Sequence, residues 1–234
     1  LMKQYRQVHY VERKPHAMRE SVGRIIETLR SVRKQKKIFL FLIAFFFFID
    51  GVYTIIDMAT AYGSALGLDS TGLLLALLVT QFVAFPFSIL FGRLAEKYDT
   101  GKLILTCIAA YTGITVFAVF MKAQWQFWVL AIFVGMFQGG IQALSRSYFA
   151  KIVPPERSGE YFGLMDICGK GASFMGTTVV GLASQAFGSI NIGVSAIVFL
   201  FLAGALFFMK TEHSGSESMK NQENIVMGQQ MFHD

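Results

Sequence analysis

The sequence has little of what soluble enzymes and secreted domains depend on. It holds only two cysteines, Cys107 and Cys168, each inside an apolar run, so it shows neither a disulfide framework nor a thiolate metal site. The four histidines lie at positions 9, 16, 213 and 233, away from every apolar run, and there is no glycine-rich phosphate loop. These absences argue against an enzyme and against a bound cofactor or metal ion.

Charge is also scarce, and what is present lies between long apolar runs. Charged residues make up 15% of the chain and hydrophobic residues 54%, with 24 phenylalanines. A membrane-spanning helix needs roughly 20 apolar residues. Six segments qualify: Ile38 to Ala61, Gly72 to Phe91, Leu103 to Met121, Phe127 to Leu144, Tyr161 to Phe187, and Ile190 to Met209. The fourth is short and the fifth long, so five or seven spans would also fit. We therefore predict an all-α membrane protein built as a bundle of six transmembrane helices.

The distribution of basic residues predicts the orientation of this bundle. Of the 21 Lys and Arg residues, all except Lys122 and Lys170 fall on the side of the membrane that holds the N-terminus. Because cytoplasmic loops carry the excess of positive charge, both termini should be cytoplasmic, and we expect a bacterial plasma membrane. Nucleic-acid binding would explain this charge poorly, since the basic residues border the spans and do not form a patch with aromatics.

The two ends of the chain differ from the bundle that they flank. Residues 1–37 are a basic cytoplasmic linker, in which Ala17 to Arg33 has the spacing of an amphipathic helix. That helix could lie on the membrane surface or pack on other protein. Residues 38–209 form the bundle, and residues 210–234 form a polar cytoplasmic tail that we expect to lack regular structure. The chain starts at Leu1 with no signal-peptide pattern, so we expect a piece of a longer chain.

The connection between the second and third spans carries the first family signature. Gly92 to Lys102 reads as a tight glycine-bounded turn with acidic and basic residues interleaved. It resembles the short loop of the major facilitator superfamily, although Glu96 stands where Asp is usual and Asp99 where Gly is expected. The resemblance implies a charge latch against another half of the transporter, and otherwise the loop is a solvated turn that sets topology. The latch residues would be Gly92, Arg93, Glu96, Lys97, Asp99 and Lys102.

Three further stretches narrow the resemblance to one branch of that superfamily. They are 50–55 (DGVYTI), 139–149 (GGIQALSRSYF), and 154–163 (PPERSGEYFG) followed by Gly169 and Lys170. They are similar to the UMF1 or Atg22-like branch, which implies efflux of amino acids or other small solutes. The similarity runs from about Ile38 to Met209. Members have twelve spans, so this chain would be the C-terminal half of a major-facilitator-type fold, partnered by an N-terminal six-helix half that it lacks.

Polar residues inside the first predicted span mark a candidate pathway. Asp50, Tyr53, Thr54 and Asp57 fall at helical spacing on one face. A charge at the centre of a bilayer costs about 2.5–3.5 kcal/mol, so such a residue is a functional candidate. Asp50 lies near the middle of the span, where desolvation could hold its carboxyl protonated until the cavity hydrates, as proton coupling requires. The alternative is a structural carboxylate hydrogen-bonded to a neighbouring helix.

The fourth and fifth predicted spans carry two more polar stripes. Asp166 and Lys170 lie four residues apart and could neutralise each other, or Lys170 could bind a substrate carboxylate. Gln138 and Gln142 form the other stripe, which ends at Arg146 on the cytoplasmic side. Gln81 of the second span could face them. Amides could recognise a zwitterion or a sugar, and could equally hold helices together, while Arg146 could serve only as an interface anchor.

Together these features predict transmembrane transport of a small solute by alternating access, driven by an ion or solute gradient. The alternative is a six-helix channel or a structural membrane protein that acts as a homo-oligomer. The partners we expect are membrane lipid, a small-molecule solute, and either the missing half or a second copy of the chain. No nucleic-acid partner is expected.

Overall fold

The computed structural model describes the backbone of residues 27–231 and the side chains of residues 27–214. Within that part the chain is helical, with no strand. A short helix covers 27–34, and one 3-10 turn, Pro155–Arg157, precedes the fifth long helix. The long helices are α1 (Lys36–Ala65), α2 (Ser70–Lys97), α3 (Thr100–Val119), α4 (Gln124–Ile152), α5 (Ser158–Phe187) and α6 (Ile190–Met231).

The six long helices correspond to the six predicted spans. Five of them are long and apolar enough to cross a membrane, namely α1, α2, α3, α4 and the Ile190–Ser214 part of α6. The fifth, α5, has 30 residues and is also long enough, at about 45 Å. It falls short in composition because Asp166, Lys170 and several glycines dilute its apolar residues. The chain is thus an all-α integral membrane protein.

The turn predicted between Gly92 and Lys102 is much shorter than expected. Helix α2 continues through Lys97, and α3 begins at Thr100, so Tyr98 and Asp99 alone connect them. The carboxylate of Asp99 accepts a hydrogen bond from the Gly101 N–H at 2.7 Å, which caps α3. An N-cap suits Asp better than the glycine expected from the family pattern, and this explains how the helices can follow each other so closely.

Helix packing divides the bundle into two groups. Helix α1 packs mainly on α6 and α5, and α2 packs mainly on α4, while α3 contacts both α4 and α6. Aromatic side chains join the two groups, since Phe41 of α1 stacks on Tyr148 and Phe149 of α4 with ring centroids 5.2 and 5.3 Å apart. Helix α2 is the least buried of the five candidate spans.

The predicted amphipathic helix from Ala17 to Arg33 lies mostly outside the described residues. Its last part, residues 27–34, is helical and packs on protein. Thr28 donates a hydrogen bond to Glu160 at 3.0 Å, and Val32 is 1% exposed. For these two turns the structure favours the alternative of a linker helix packed on the bundle.

The expectation of an irregular tail is wrong for residues 210–231. The backbone of α6 continues as helix through Met231, since this stretch contains no proline that would stop it. Residues 232–234 lie outside the described part of the chain.

Candidate transport pathway

Asp50 is completely buried at the contact between α1 and α5. One carboxylate oxygen accepts a hydrogen bond from the backbone N–H of Gly176 at 2.8 Å. The other oxygen meets no hydrogen-bond donor in good geometry among the described groups, although the hydroxyl of Thr54, one turn further along α1, lies beside the carboxylate. Buried polar atoms without partners are rare in native proteins and are usually satisfied by a proton, an ion or a water molecule. Asp50 is therefore held in place by one oxygen, while the other remains available.

The α5 residue that faces Asp50 has to be a glycine. A methyl group at Gly176 would collide with the hydroxyl oxygen of Thr54 and with the bonded carboxylate oxygen of Asp50. The missing side chain lets the backbone N–H of α5 approach the carboxylate directly. Nothing in the spacing of Gly176 along the sequence identified its partner on α1.

Other polar side chains of α1, α4 and α5 meet on one side of the bundle, where the charged ones are exposed and Tyr53 and Ser173 are half-buried. Ser173 donates a hydrogen bond to the Asp57 carboxylate at 2.7 Å. The Tyr53 hydroxyl lies within electrostatic range of Asp57, Arg146 and Asp166. We name this surface the open polar face; it consists of Tyr53, Asp57, Arg146, Asp166, Lys170 and Ser173.

The predicted pairing of Asp166 with Lys170 is wrong in this structure. Asp166 accepts a hydrogen bond from the guanidinium of Arg146 on α4 at 3.0 Å. Lys170 is exposed, and among the described residues it has no ionic partner. Arginine binds a carboxylate through a rigid planar fork, and tertiary packing brings this fork to Asp166, which spacing along one helix could not reveal. Arg146 therefore pairs with Asp166 and belongs to the open polar face.

The open polar face extends along the helices from the basic end of the bundle toward the opposite end. With a rise of about 1.5 Å per residue, Arg146 lies ~9 Å from the end of α4 and Lys170 ~18 Å from the start of α5. Asp57 lies ~12 Å from the other end of α1. Asp57 and Lys170 lie well inside their helices, and a charge that faced lipid there would cost up to about 2.5–3.5 kcal/mol, the value at the bilayer centre. This surface therefore requires water or further protein against it.

The predicted amide residues lie nearer α2. Gln81 and Gln138 line one cavity of about 320 Å³ between α1, α2 and α4, whose other walls are almost entirely apolar. The side-chain oxygen of Gln138 is buried without a hydrogen-bond partner among the described residues. Gln142 is half-buried, one helical turn from Gln138 toward Arg146. The structure thus brings Gln81 and Gln138 together in one cavity that Gln142 does not line, and the Gln138 oxygen has no described hydrogen-bond donor.

The predicted latch residues lie at the basic end of α2 and the start of α3. All six are exposed, and no ion pair joins them within the described chain. Among these residues, only Asp99 has a described side-chain hydrogen bond, and that bond caps α3. A methyl group at Gly92 would meet nothing within 4 Å, so the space beside α2 is open at this position.

One cluster at the same end was not predicted from the sequence. The Tyr148 hydroxyl of α4 donates a short hydrogen bond to Glu212 of α6. The Glu212 carboxylate also lies against Gly101 in the first turn of α3, and Lys151 donates to the Thr100 hydroxyl at 2.9 Å. A carboxylate is stabilised at a helix N-terminus by the backbone dipoles. Because Glu212 lies in the segment expected to be an irregular tail, the sequence offered no signal for this junction of three helices.

Comparison with known proteins places the chain among membrane transporters. A family model described as "Vacuole effluxer Atg22 like" matches residues 1–220. The chain is 42% identical over 224 residues to the "Uncharacterized MFS-type transporter YxiO" of Bacillus subtilis, covering 96% of this chain and 52% of that protein.

Fungal relatives are more distant. Autophagy-related protein 22-2 of Aspergillus niger is 23% identical over 220 residues, which is 86% of this chain and 37% of the relative. Autophagy-related protein 22 of Cryptococcus neoformans is 26% identical over 198 residues, or 77% and 35%. The chain thus spans about half or less of the length of these curated relatives.

Proposed function

The chain belongs to the Atg22-like vacuole effluxer family of major-facilitator-type transporters, and on that premise we propose that it forms half of a small-solute carrier. The carrier works by alternating access and is driven by an ion or solute gradient. The solute is an amino acid or a similar small metabolite. Both termini of the chain are cytoplasmic, and the membrane is a bacterial plasma membrane.

The open polar face is the observation that carries this proposal. It presents acidic and basic groups along membrane-spanning helices, with the side chains of Arg146 and Asp166 57% and 50% exposed. A purely structural ion pair in a membrane would be enclosed between helices, because desolvated charges need every partner they can reach. An exposed ion pair beside the unpaired Lys170 is better suited to a surface that water and a solute reach in turn.

The part of a full-length protein that lies outside this chain supplies the opposite wall. The relatives are about twice as long or longer, which leaves room for a second bundle of helices. A second copy of this chain could cover the same face in a homodimer. In either arrangement the solute passes between the open polar face and its partner, and the two bundles rock around it.

The charges on this face suit a zwitterionic solute. Lys170 offers an ammonium group to a substrate carboxylate, and Asp57, held by Ser173, offers a carboxylate to a substrate amine. The Arg146–Asp166 pair can open to either charge and re-form when the solute leaves. Exposed ion pairs contribute only about 0–1 kcal/mol to stability, so exchange of partners costs little.

The test uses the full-length protein in proteoliposomes, after a thermal-shift panel of amino acids, sugars and nucleosides has identified a solute. Lys170→Met removes the ammonium group and keeps most of the side-chain volume. We expect its apparent KM to rise about tenfold, the loss of one charge-assisted hydrogen bond. Lys122→Met, outside the spans, is the matched control and should leave KM unchanged. An unchanged KM in Lys170→Met would refute the binding role.

A charge exchange tests the ion pair separately. Arg146→Asp and Asp166→Arg should each lower uptake strongly because each places two like charges together, and the double variant should recover part of the activity. Saturable uptake with counterflow would support a carrier. Unsaturable conductance through the reconstituted protein would instead support the channel alternative and end this proposal.

A further inference from the structure

An apolar groove lies at the basic end of the bundle, between the 27–34 helix, α1 and α5. Its volume is about 320 Å³. Each helix contributes residues at helical spacing: Leu29 from the short helix, a row from Phe39 to Phe47 on α1, and Leu164 and Cys168 on α5. Arg33 is the one charged residue among the groove residues.

The walls of this groove are fixed by hydrogen bonds between the short helix and α5. Gln35 donates to the Tyr161 hydroxyl at 3.1 Å, and Ser31 lies within 3.3 Å of the same oxygen. Thr28 donates to Glu160 at 3.0 Å. Val32 is buried at the bottom of this contact, at 1% exposure. The groove is therefore a built feature of the bundle, held open by polar contacts at its outer end.

The depth of the groove matches one leaflet of a bilayer. Phe39 to Phe47 extends along α1 for about 12 Å, and half of a hydrocarbon core is about 15 Å thick. The row starts close to the beginning of α1 at Lys36, where the membrane interface is expected. A hydrocarbon chain that entered from the interface would thus lie along α1 through most of one leaflet.

The groove entrance carries positive charge that lacks a partner. Arg33 is exposed and forms no ion pair with a described carboxylate. Arg30, Lys34 and Lys36 lie within the same stretch of chain, with Glu27 as the nearest acid in sequence, whereas the Lys37 ammonium lies over the Tyr148 ring of α4. A guanidinium binds a phosphate through two parallel hydrogen bonds, and clusters of basic residues beside a membrane span favour anionic lipid headgroups.

We propose that this groove is a binding site for an acidic phospholipid of the leaflet at the basic end. One acyl chain lies along the α1 row, and the headgroup phosphate is bound by Arg33. The bound lipid adds contacts with the 27–34 helix, α1 and α5 to the hydrogen bonds that already join the short helix to α5.

The experiment compares two lipids with identical acyl chains, phosphatidylglycerol and phosphatidylcholine, added to delipidated full-length protein in neutral detergent. Native mass spectrometry counts bound lipids, and the melting temperature reports stabilisation. The wild type should retain phosphatidylglycerol in preference to phosphatidylcholine and melt at a higher temperature with it. Arg33→Gln should weaken phosphatidylglycerol binding about tenfold, as expected for the loss of a charge-assisted contact.

Two further variants separate the headgroup from the chain. Leu29→Trp fills the entrance at a residue that is 44% exposed, so the fold should tolerate it, and binding of both lipids should fall. Arg93→Gln removes an exposed arginine from the basic end of α2, away from the groove, and should bind as the wild type does.

Three results would overturn the proposal. The first is no preference for phosphatidylglycerol in the wild type, which would follow if another protein segment filled the groove. The second is equal binding by the wild type and Arg33→Gln. The third is full competition by inorganic phosphate, which would indicate a free-anion site that needs no acyl chain.

Discussion

The carboxylate of Asp50 accepts a hydrogen bond from the backbone N–H of Gly176 at 2.8 Å, across the contact between α1 and α5. The donor is a backbone N–H, so among substitutions at position 176 only proline removes the donor itself. The bond restrains the acid from one side only. Its second oxygen stays without a hydrogen-bond partner in the described structure, although the residue is fully buried.

Gly176→Ala should therefore separate α1 from α5 locally. The new methyl group would collide with Thr54 and Asp50, and such overpacking typically costs about 1–3 kcal/mol. We expect a lower melting temperature for the full-length protein in detergent. Gly181→Ala, in the same helix but with nothing within 4 Å of the added methyl group, is the control and should melt at or slightly above the wild type, because alanine favours a helix over glycine by about 0.5–1 kcal/mol. Equal melting of the two variants would contradict the close approach.

Asp50→Asn tests whether the acid carries a proton during transport. The amide keeps the shape and still accepts from the Gly176 N–H, so we expect folding to change by less than about 1 kcal/mol. Gradient-driven uptake should be lost, whereas solute exchange at equal gradients should remain, because an amide cannot release a proton at neutral pH. Both are measured in proteoliposomes.

The control for Asp50→Asn is Asp69→Asn, the same chemical change at the N-cap of α2, where Asn caps equally well. It should leave both uptake and exchange unaltered. If Asp50→Asn showed uptake equal to the wild type, Asp50 would be a structural carboxylate and the coupling role would have to be given up.

Substitutions at Asp99 can separate the capping hydrogen bond from the negative charge of the side chain. Asp99→Ser keeps a side-chain oxygen for the Gly101 N–H and should preserve stability, whereas Asp99→Ala should cost about 0.5–2 kcal/mol. Melting temperatures measure both. If the charge also acts as a latch against the rest of the transporter, Asp99→Ser will fold normally and still transport more slowly. Normal transport by Asp99→Ser would limit this residue to capping.

Tyr148→Phe should loosen the junction of α3, α4 and α6 at the basic end. The ring keeps its stacking on Phe41, but Glu212 loses a hydroxyl donor, and hydrogen bonds to charged groups contribute about 1.5–3 kcal/mol. We expect a lower melting temperature. Tyr98→Phe removes a hydroxyl from an exposed ring between α2 and α3 and provides the comparison, with no change expected.

The sequence predicted the helices well because apolar length is a direct physical requirement of the bilayer. Each predicted span falls within or close to one helix, and the family follows from short motifs around Asp50, Gly139 and Lys170. Helix ends were harder to predict. Helix α2 ends at Lys97 and α3 begins at Thr100. This short connection depends on the capping hydrogen bond of Asp99, which a hydropathy pattern does not reveal.

Contacts between helices could not be predicted from spacing along one of them. The i, i+4 rule paired Asp166 with Lys170, but a guanidinium from α4 takes that carboxylate. Nothing in the sequence identified Gly176 as the residue whose N–H donates to Asp50, because that contact depends on helix packing. Polar residues were thus recognised by type, because charge in an apolar helix is conspicuous, while their partners depend on crossing geometry that a single sequence does not contain.

Helices α2 and α4 approach each other closely at two glycines of α4. A methyl group at Gly135 would lie 2.6 Å from the Thr80 carbonyl oxygen, and one at Gly139 would lie 2.9 Å from that of Ala84. Sliding either helix along the other would bring larger residues to these points, so the pair has a single permitted register. Helices α2 and α4 should consequently travel as one rigid piece, and the deformation that opens and closes a pathway must be absorbed elsewhere in the bundle.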